Sequence, residues 1–430
     1  MLKRINVLAW LCIGFSASVS AQNVNSPYSR YGLGDILPGQ NIQSRALGGI
    51  GTAYSDLISV NFLNPASYGH IQRVTLDFAV ELDNLTIRAQ NPARRFSNSS
   101  PVISYFNLGI PLKIKKKPVG LVIGLRPMSR INYKIQRIEQ LNTGTLNDSV
   151  ATLFEGNGGT QQVYVGTGFN IGRFSIGLNA GYLFGSKDYS TKRIFLNDTI
   201  QYYKSNHATK TNFNGFFFNV GVQYIAKLGE KSLLHLGAQT NWQQKVRGKQ
   251  DIIRETFEYD ANAAEFRVDS VFEQKDRKGD VIMPASYSFG VIYNKLEKFM
   301  IGVDYSTTQW TNYKYFNEKD PLQNSWEIRV GGQYTPPRGK NYWSNVAYRT
   351  GFSYGKDYVN VSGELPKWTY SIGAALPLRQ VYGSNQFTII NTAFEFGNRG
   401  TNTNGVRESF FRVAVGLAMS DIWFIKNKYR

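Results

Sequence analysis

The stretch that decides the fold closes the chain: residues 408–430, ESFFRVAVGLAMSDIWFIKNKYR. Phe411, Val413, Val415, Leu417 and Met419 fall on one parity; Arg412, Ala414, Gly416, Ala418 and Ser420 fall on the other. Successive side chains of a strand point to opposite faces, so the segment reads as a strand with one greasy face and one small or polar face. Trp423 and Phe424 then suit an interfacial aromatic girdle, and the basic tail Lys426-Asn427-Lys428-Tyr429-Arg430 suits a headgroup zone.

The same split recurs upstream. Trp368, Tyr370, Ile372 and Leu376 oppose Thr369, Ser371 and Gly373; Phe299, Ile301, Val303 and Tyr305 oppose Gly302, Asp304 and Ser306. Phe174, Ile176 and Leu178 oppose Ser175, Gly177 and Asn179, and Val74, Leu76, Phe78, Val80 and Leu82 oppose Thr75, Asp77, Glu81 and Asp83. A soluble sandwich alternates too, so the connections must separate the two readings. Roughly 14 such segments follow one another, near 72–88, 102–113, 118–137, 160–171, 173–190, 211–227, 232–250, 281–293, 298–312, 325–335, 345–358, 366–378, 386–397 and 409–424, an even number as bacterial barrels require. Short links (Lys113–Lys117, Gly172–Arg173, Leu228–Lys231, Asn294–Glu297) alternate with long ones (138–159, 191–210, 251–280), the order of periplasmic turns and outside loops. The expectation is an all-β, transmembrane antiparallel β-barrel of about 14 strands over residues 72–430.

Composition agrees. Aromatics make up 14% of the 430 residues and glycines number 41, which suits strands between lipid and a crowded lumen. Lys3 and Arg4, an apolar run to Phe15 and the Val19-Ser20-Ala21 pattern read as a secretory signal over 1–21, too short to span a bilayer as a helix. It carries Cys12, the only cysteine, so no thiol, disulfide or cysteine-based metal site is expected in the mature chain. The formal charge of +19 becomes about +17 without Lys3 and Arg4.

Chemistry for catalysis is not visible. Of the three histidines, His70 ends the N-terminal segment, His207 sits in a long connection and His235 shares a lumen parity with Gly237 and Gln239. None clusters in sequence with a serine and an acid, so no enzyme, no cofactor and no metal is expected. Inward charges such as Asp77, Glu81, Arg126, Asp304, Arg329, Arg349, Glu395 and Arg412 form either a polar throat or a self-neutralising network that braces the lumen. The run Lys113, Lys115, Lys116, Lys117 at a short turn reads as an anchor beside lipid phosphate. With no basic groove of interleaved aromatics, nucleic acid is not a partner.

Residues 22–71 do not alternate. Gly48, Gly49 and Gly51 crowd like a nucleotide loop, yet no buried strand precedes them and no useful helix follows, so a dinucleotide reading fails. Leu57, Ile58, Val60, Phe62 and Leu63 would be wasted on a solvated tail, and Asn64-Pro65 reads as a tight turn. The series Arg45-Ala46-Leu47-Gly48-Gly49-Ile50-Gly51-Thr52-Ala53, then Asp56, Asn61 and Asn64-Pro65-Ala66-Ser67, resembles the N-terminal hatch signature of the FadL family of outer-membrane transport barrels. The resemblance implies 14 strands, an N-terminal plug over 22–71 held in the lumen through Gly48, Gly49, Gly51, Asn64, Pro65 and Ala66, and passive uptake of hydrophobic small molecules such as long-chain fatty acids. The SPYSRYGLGD opening at 26–35 and the WFIKNKYR ending are similar to Bacteroidetes members, which include PorV-like partners of a secretion system. The implied alternative is therefore a non-transporting barrel serving as partner or shuttle of such a system. Outer-membrane lipid, lipopolysaccharide and a hydrophobic ligand are the other partners implied.

The family further implies a lateral opening where the third strand kinks near the Asn-Pro-Ala motif. Pro127 falls in the third strand here and lacks the amide hydrogen that a ladder needs. Arg126, Pro127 and Ser129 are thus a candidate gate, with Arg126 and Ser129 expected to hold Asn64. Pro127 equally suits a plain upper rim.

Overall fold

The computed structural model describes residues 26–422, apart from 91–92, 115–116, 143–146, 197–201, 338, 362 and 379–384. The signal segment and the Trp423-Phe424 girdle with its basic tail lie outside the described residues. Fourteen spanning strands form one closed antiparallel sheet. They are β1 (Val74–Gln90), β2 (Ala93–Ile114), β3 (Lys117–Asn142), β4 (Asn147–Ile171), β5 (Phe174–Phe195) and β6 (Lys204–Gly229). Next come β7 (Ser232–Asn241, continued by Gln244–Tyr259) and β8 (Glu265–Met283, continued by Ser286–Lys295). The circuit ends with β9 (Phe299–Thr308), β10 (Ser325–Tyr334), β11 (Ala347–Lys356), β12 (Pro366–Pro377), β13 (Phe387–Arg399) and β14 (Val406–Asp421). β14 closes on β1 from Val406↔Ala89 to Asp421↔Val74. No sheet edge is left along that seam, which is how a membrane strand satisfies its backbone.

The parities sort as lipid chemistry demands. Val80, Leu82, Ile176, Leu178, Ile301, Val303, Trp368, Tyr370 and Val415 are exposed, while Asp77, Glu81, Ser175, Asn179, Asp304, Ser371 and Ala414 are buried. The apolar face meets hydrocarbon and the polar face meets other protein.

Strand length is the departure from expectation. A tilted strand crosses the apolar band in about 9–11 residues, yet β3, β4 and β6 run for 26, 25 and 26. Most of the connections expected at 138–159, 191–210 and 251–280 are ladder, with pairs such as Glu139↔Val150, Lys192↔Asn206 and Phe266↔Glu258. Above the membrane both faces of a strand meet water, so alternation vanishes while backbone pairing continues.

Candidate functional site

Residues 26–71 lie among the inward-facing side chains of the barrel; most are buried, residues 35–40 are half-buried, and Leu57 is exposed. A short helix α1 (Ile42–Ala46) starts at Asn41, whose side chain accepts from Ser44 N at 2.9 Å, an N-cap that satisfies one orphan amide. On α1, Arg45 donates through Nε and Nη2 to the two oxygens of Glu395 (2.9 and 2.7 Å) and also pairs with Glu81. Its side chain is 3% exposed, so one cation serves two wall carboxylates out of water, with Arg412 4.0 Å from Glu395.

The glycine cluster does cradle an anion, but one supplied by the wall. Gly51 N and Thr52 N each donate to Asp304 Oδ2 at 2.8 Å, and Gly48 N donates to Ser371 Oγ at 2.9 Å. Consecutive amides turned to one carboxylate make a small nest. Gly48 and Gly49 take φ of 71° and 88°, which only glycine adopts freely. The wall reciprocates, because a Cβ on Gly331, Gly351 or Gly237 would collide with the backbone of Leu47, Gly48 or Thr52. Asn64 caps the 3-10 turn Pro65–His70 by accepting from Ala66 N, and its amide donates to Thr52 O at 2.6 Å and to Val222 O and Ala238 O at 3.3 Å. Pro65 lies against Gly168 and Gly177 on β4 and β5.

A gap in the wall lies elsewhere. The β2–β3 ladder runs only from Ile114↔Lys117 to Phe106↔Leu125. Beyond it β2 stays paired with β1 and β3 stays paired with β4, so residues 93–105 and 126–142 have no partner in each other. Pro127 is two residues past the last pair, on an edge where no amide hydrogen is needed, and a register shift to β4 falls between it and Ser129. The N-terminal segment occupies this edge: Ile36 pairs with Ser129 and Asp35 with Arg130, Leu37 N donates to Met128 O (2.9 Å) and Ser26 N to Asn132 O (3.0 Å). Arg126 Nη1 donates to Gly39 O (3.2 Å), and Ser129 Oγ to Leu33 O (2.7 Å). Thus Arg126 and Ser129, on either side of Pro127, do meet the N-terminal segment, but not Asn64. That residue is fixed to β6 and β7, where its amide donates to the carbonyls of Val222 and Ala238, and the Asn-Pro-Ala turn is not at the gap.

Residues 309–324, which link β9 to β10, fold over the top of this segment. Trp310 stacks on Tyr358 with ring centres 4.5 Å apart, Tyr313 OH donates to Gly32 O at 3.2 Å, and Gly32 N donates to Asp320 Oδ2 at 2.8 Å. Trp310, Tyr313, Tyr315 and Phe316 are all buried, so this aromatic loop is a cap and not a displayed patch. Between it, α1 and the β8–β14 wall lies a cavity of about 340 Å³. Its lining mixes charged side chains such as Arg130, Arg329 and Arg399 with apolar Ile36, Met128 and Phe410.

Comparison with known proteins places this architecture. The BamG family model matches residues 1–430. The chain belongs to the BamG family. Among curated proteins none matches it in sequence. Solved structures similar to this BamG-family chain include the Pseudomonas putida toluene transporter TodX (14% identity, 91% of this chain and 100% of that one, TM-score 0.57). A Pseudomonas aeruginosa FadL homologue is 12% identical over 91% and 100% of the two chains with a TM-score of 0.55. The CymD monoaromatic hydrocarbon channel is 15% identical over 91% and 99%, with a TM-score of 0.53. At such identities the likeness is one of fold.

Sequence reasoning missed the second ionic clamp of this BamG-family barrel. Arg399 Nη1 lies 2.7 Å from Asp35 and 3.5 Å from Glu408, and its Nη2 lies 2.9 Å from Asp357, which ties the N-terminal segment, the β11–β12 connection and β14 together. Arg399 and Glu408 fall at strand ends, where parity is hardest to read. Of the inward charges that the sequence did mark, Arg412 bonds Asp83 at 3.0 Å, and Asp77 accepts from Ser59 Oγ at 2.9 Å and Val60 N at 3.2 Å. They form an anchoring network.

Proposed function

We propose that this barrel is an outer-membrane channel for small hydrophobic molecules, with residues 26–71 as its plug and the gap between β2 and β3 as its lateral exit. The observation that carries the reading is the ladder that stops at Phe106↔Leu125, with a plug strand laid along the free edge of β3. On the lipid side the gap is bordered by exposed Ile103, Phe106 and Leu125, so an apolar solute leaving there enters hydrocarbon without crossing water. Arg126, Pro127 and Ser129 form the hinge of this gate: proline keeps the edge unpaired, and the other two hold the plug carbonyls of Gly39 and Leu33. The likeness in fold to the toluene transporter TodX and the monoaromatic hydrocarbon channel CymD supports a small apolar solute. A long-chain fatty acid would lie along the ion pairs of the cavity, so it would need wider displacement of the plug.

A second reading, a non-transporting partner or shuttle of a secretion system, draws on the charged side chains in the cavity lining. Toluene flux into vesicles that hold the protein separates the two. The channel reading expects flux above that of empty vesicles, lost when Ile36→Cys and Ser129→Cys are oxidised to a disulfide and regained under reductant. No flux from folded wild-type barrels, or full flux through the locked ones, would sink it.

A further inference from the structure

Basic side chains stand at both ends of the barrel but keep different company. At the end with the long strands, cations meet acids: Lys134 lies 2.8 Å from Glu155, Lys192 lies 2.6 Å from Glu265, Arg267 lies 2.6 Å from Glu255 and Lys275 lies 2.9 Å from Glu273. The short-turn end is different. The turn after β2 carries Lys117, and the turn after β4 carries Arg173. Lys227 and Lys231 flank the turn after β6, and Lys295 and Lys298 the turn after β8. Lys340 follows β10, and Arg73 stands just before β1. Among the described residues none of these eight has an ion pair within 4.0 Å, and the acids interspersed with them are Glu230, Glu297 and Asp421. What marks the short-turn end is that its cations outnumber its acids and that none of the eight is held in an ion pair.

Two features say what they face. Connections after alternate strands of a closed barrel lie around its whole perimeter, so the cations form a ring and not a patch on one side. Five of them also adjoin exposed apolar side chains: Ile171 (57% exposed) and Phe174 (44%) bracket Arg173, Leu228 (60%) lies between Lys227 and Lys231, and Leu296 (38%) between Lys295 and Lys298. That is the arrangement of long basic side chains at a membrane boundary, with stems in the apolar zone and heads at the level of phosphate.

We propose that this ring binds the phosphate headgroups of anionic lipids in the leaflet on the short-turn side. A protein partner with an acidic face would need cations concentrated on one sector, whereas a leaflet surrounds the barrel evenly. Each cation near a charged leaflet contributes a modest attraction that salt screens, so the ring works by number. It acts independently of transport, holding the barrel at a fixed depth.

Native mass spectrometry of the intact protein in detergent, with phosphatidylglycerol and phosphatidylcholine of the same acyl chains in equal amounts, tests the ring. Phosphatidylglycerol should be retained in preference, and the preference should fall about tenfold in the variant K227Q/K231Q/K295Q/K298Q. A variant at the paired end, K134Q/R267Q/K275Q, should keep it. Inorganic phosphate should compete no better than chloride at equal ionic strength; displacement by phosphate alone would make this a free-anion site. Equal retention of both lipids, or an unchanged preference in the fourfold variant, overturns the proposal. So does a variant that keeps its lipid but loses a co-purifying acidic protein. If the fourfold variant fails to fold, wild-type barrels decide: retention that stays flat between about 0.05 and 0.5 M salt contradicts an ionic ring.

Discussion

Arg45→Met removes the cation between Glu81 and Glu395 and keeps most of the side-chain length. Both carboxylates are buried at 5% exposure, so the variant leaves two acids facing each other out of water. Stripping one partner from a buried pair costs about 3–5 kcal/mol. Here the lower end applies, because Arg412 still stands 4.0 Å from Glu395 and shares Asp83. A loss of about 3 kcal/mol raises local opening of the N-terminal segment roughly a hundredfold. The barrel ladder touches none of these atoms and should unfold as before. Hydrogen exchange of the intact protein in lipid reads this directly: the amide of Gly49, bonded to Ser44 O at 2.8 Å, and those of Gly51 and Thr52 should exchange about a hundredfold faster, while amides of β14 hold. The triple variant R45M/E81Q/E395Q should recover most of the protection, since it removes the uncompensated charges. Unchanged exchange in Arg45→Met, or a triple variant more open than the single, would refute the clamp.

Three further outcomes follow from the packing. Val415→Arg, on the lipid face near mid-strand, should cost about 2–4 kcal/mol in folding titrations in vesicles, while Val415→Leu is neutral. Gly237→Ala places a Cβ against the backbone of Thr52 and Ala53, which cannot rotate away, so the segment should lose about 1–3 kcal/mol of docking, read as faster exchange at Thr52. Asp304→Asn keeps one acceptor but removes the charge that Gly51 N and Thr52 N share, and exchange there should report a loss of about 1–2 kcal/mol.

Each of the 14 strands was legible in the sequence where it crosses the apolar band, because lipid on one side and protein on the other enforce alternation at residues such as Ile301 and Asp304. Their upper halves were not. In β3 beyond Arg130, Lys134, Gln136 and Arg137 are exposed irrespective of parity, so nothing in the pattern says strand although Lys134 pairs with Glu155. Pro127 was legible as a break in pairing because its chemistry forbids a ladder bond. What fills the break was not, since Asp35 and Ile36 carry no strand signal in two residues and pair with β3 only because that edge is free. The contact set of Asn64 was likewise out of reach: its side chain bonds carbonyls of Thr52, Val222 and Ala238, three segments that only the closed barrel brings together.

The account rests on one strand edge having exchanged its neighbour, and a pair of crosslinks tests that. Were the β2–β3 ladder to continue in register from Phe106↔Leu125, Val102 would stand opposite Ser129; instead Val102 pairs with Glu81, and Ser129 faces Ile36. Paired residues of antiparallel neighbours have Cα atoms about 4.5–5.5 Å apart, within reach of a disulfide. The chain's single cysteine, Cys12, is replaced by serine in both variants, so the introduced pair supplies the only thiols. In membranes treated with a mild oxidant, Ile36→Cys with Ser129→Cys should crosslink efficiently and Val102→Cys with Ser129→Cys should not. A crosslink between 102 and 129 with none between 36 and 129 would mean that the wall is closed there and would contradict the account.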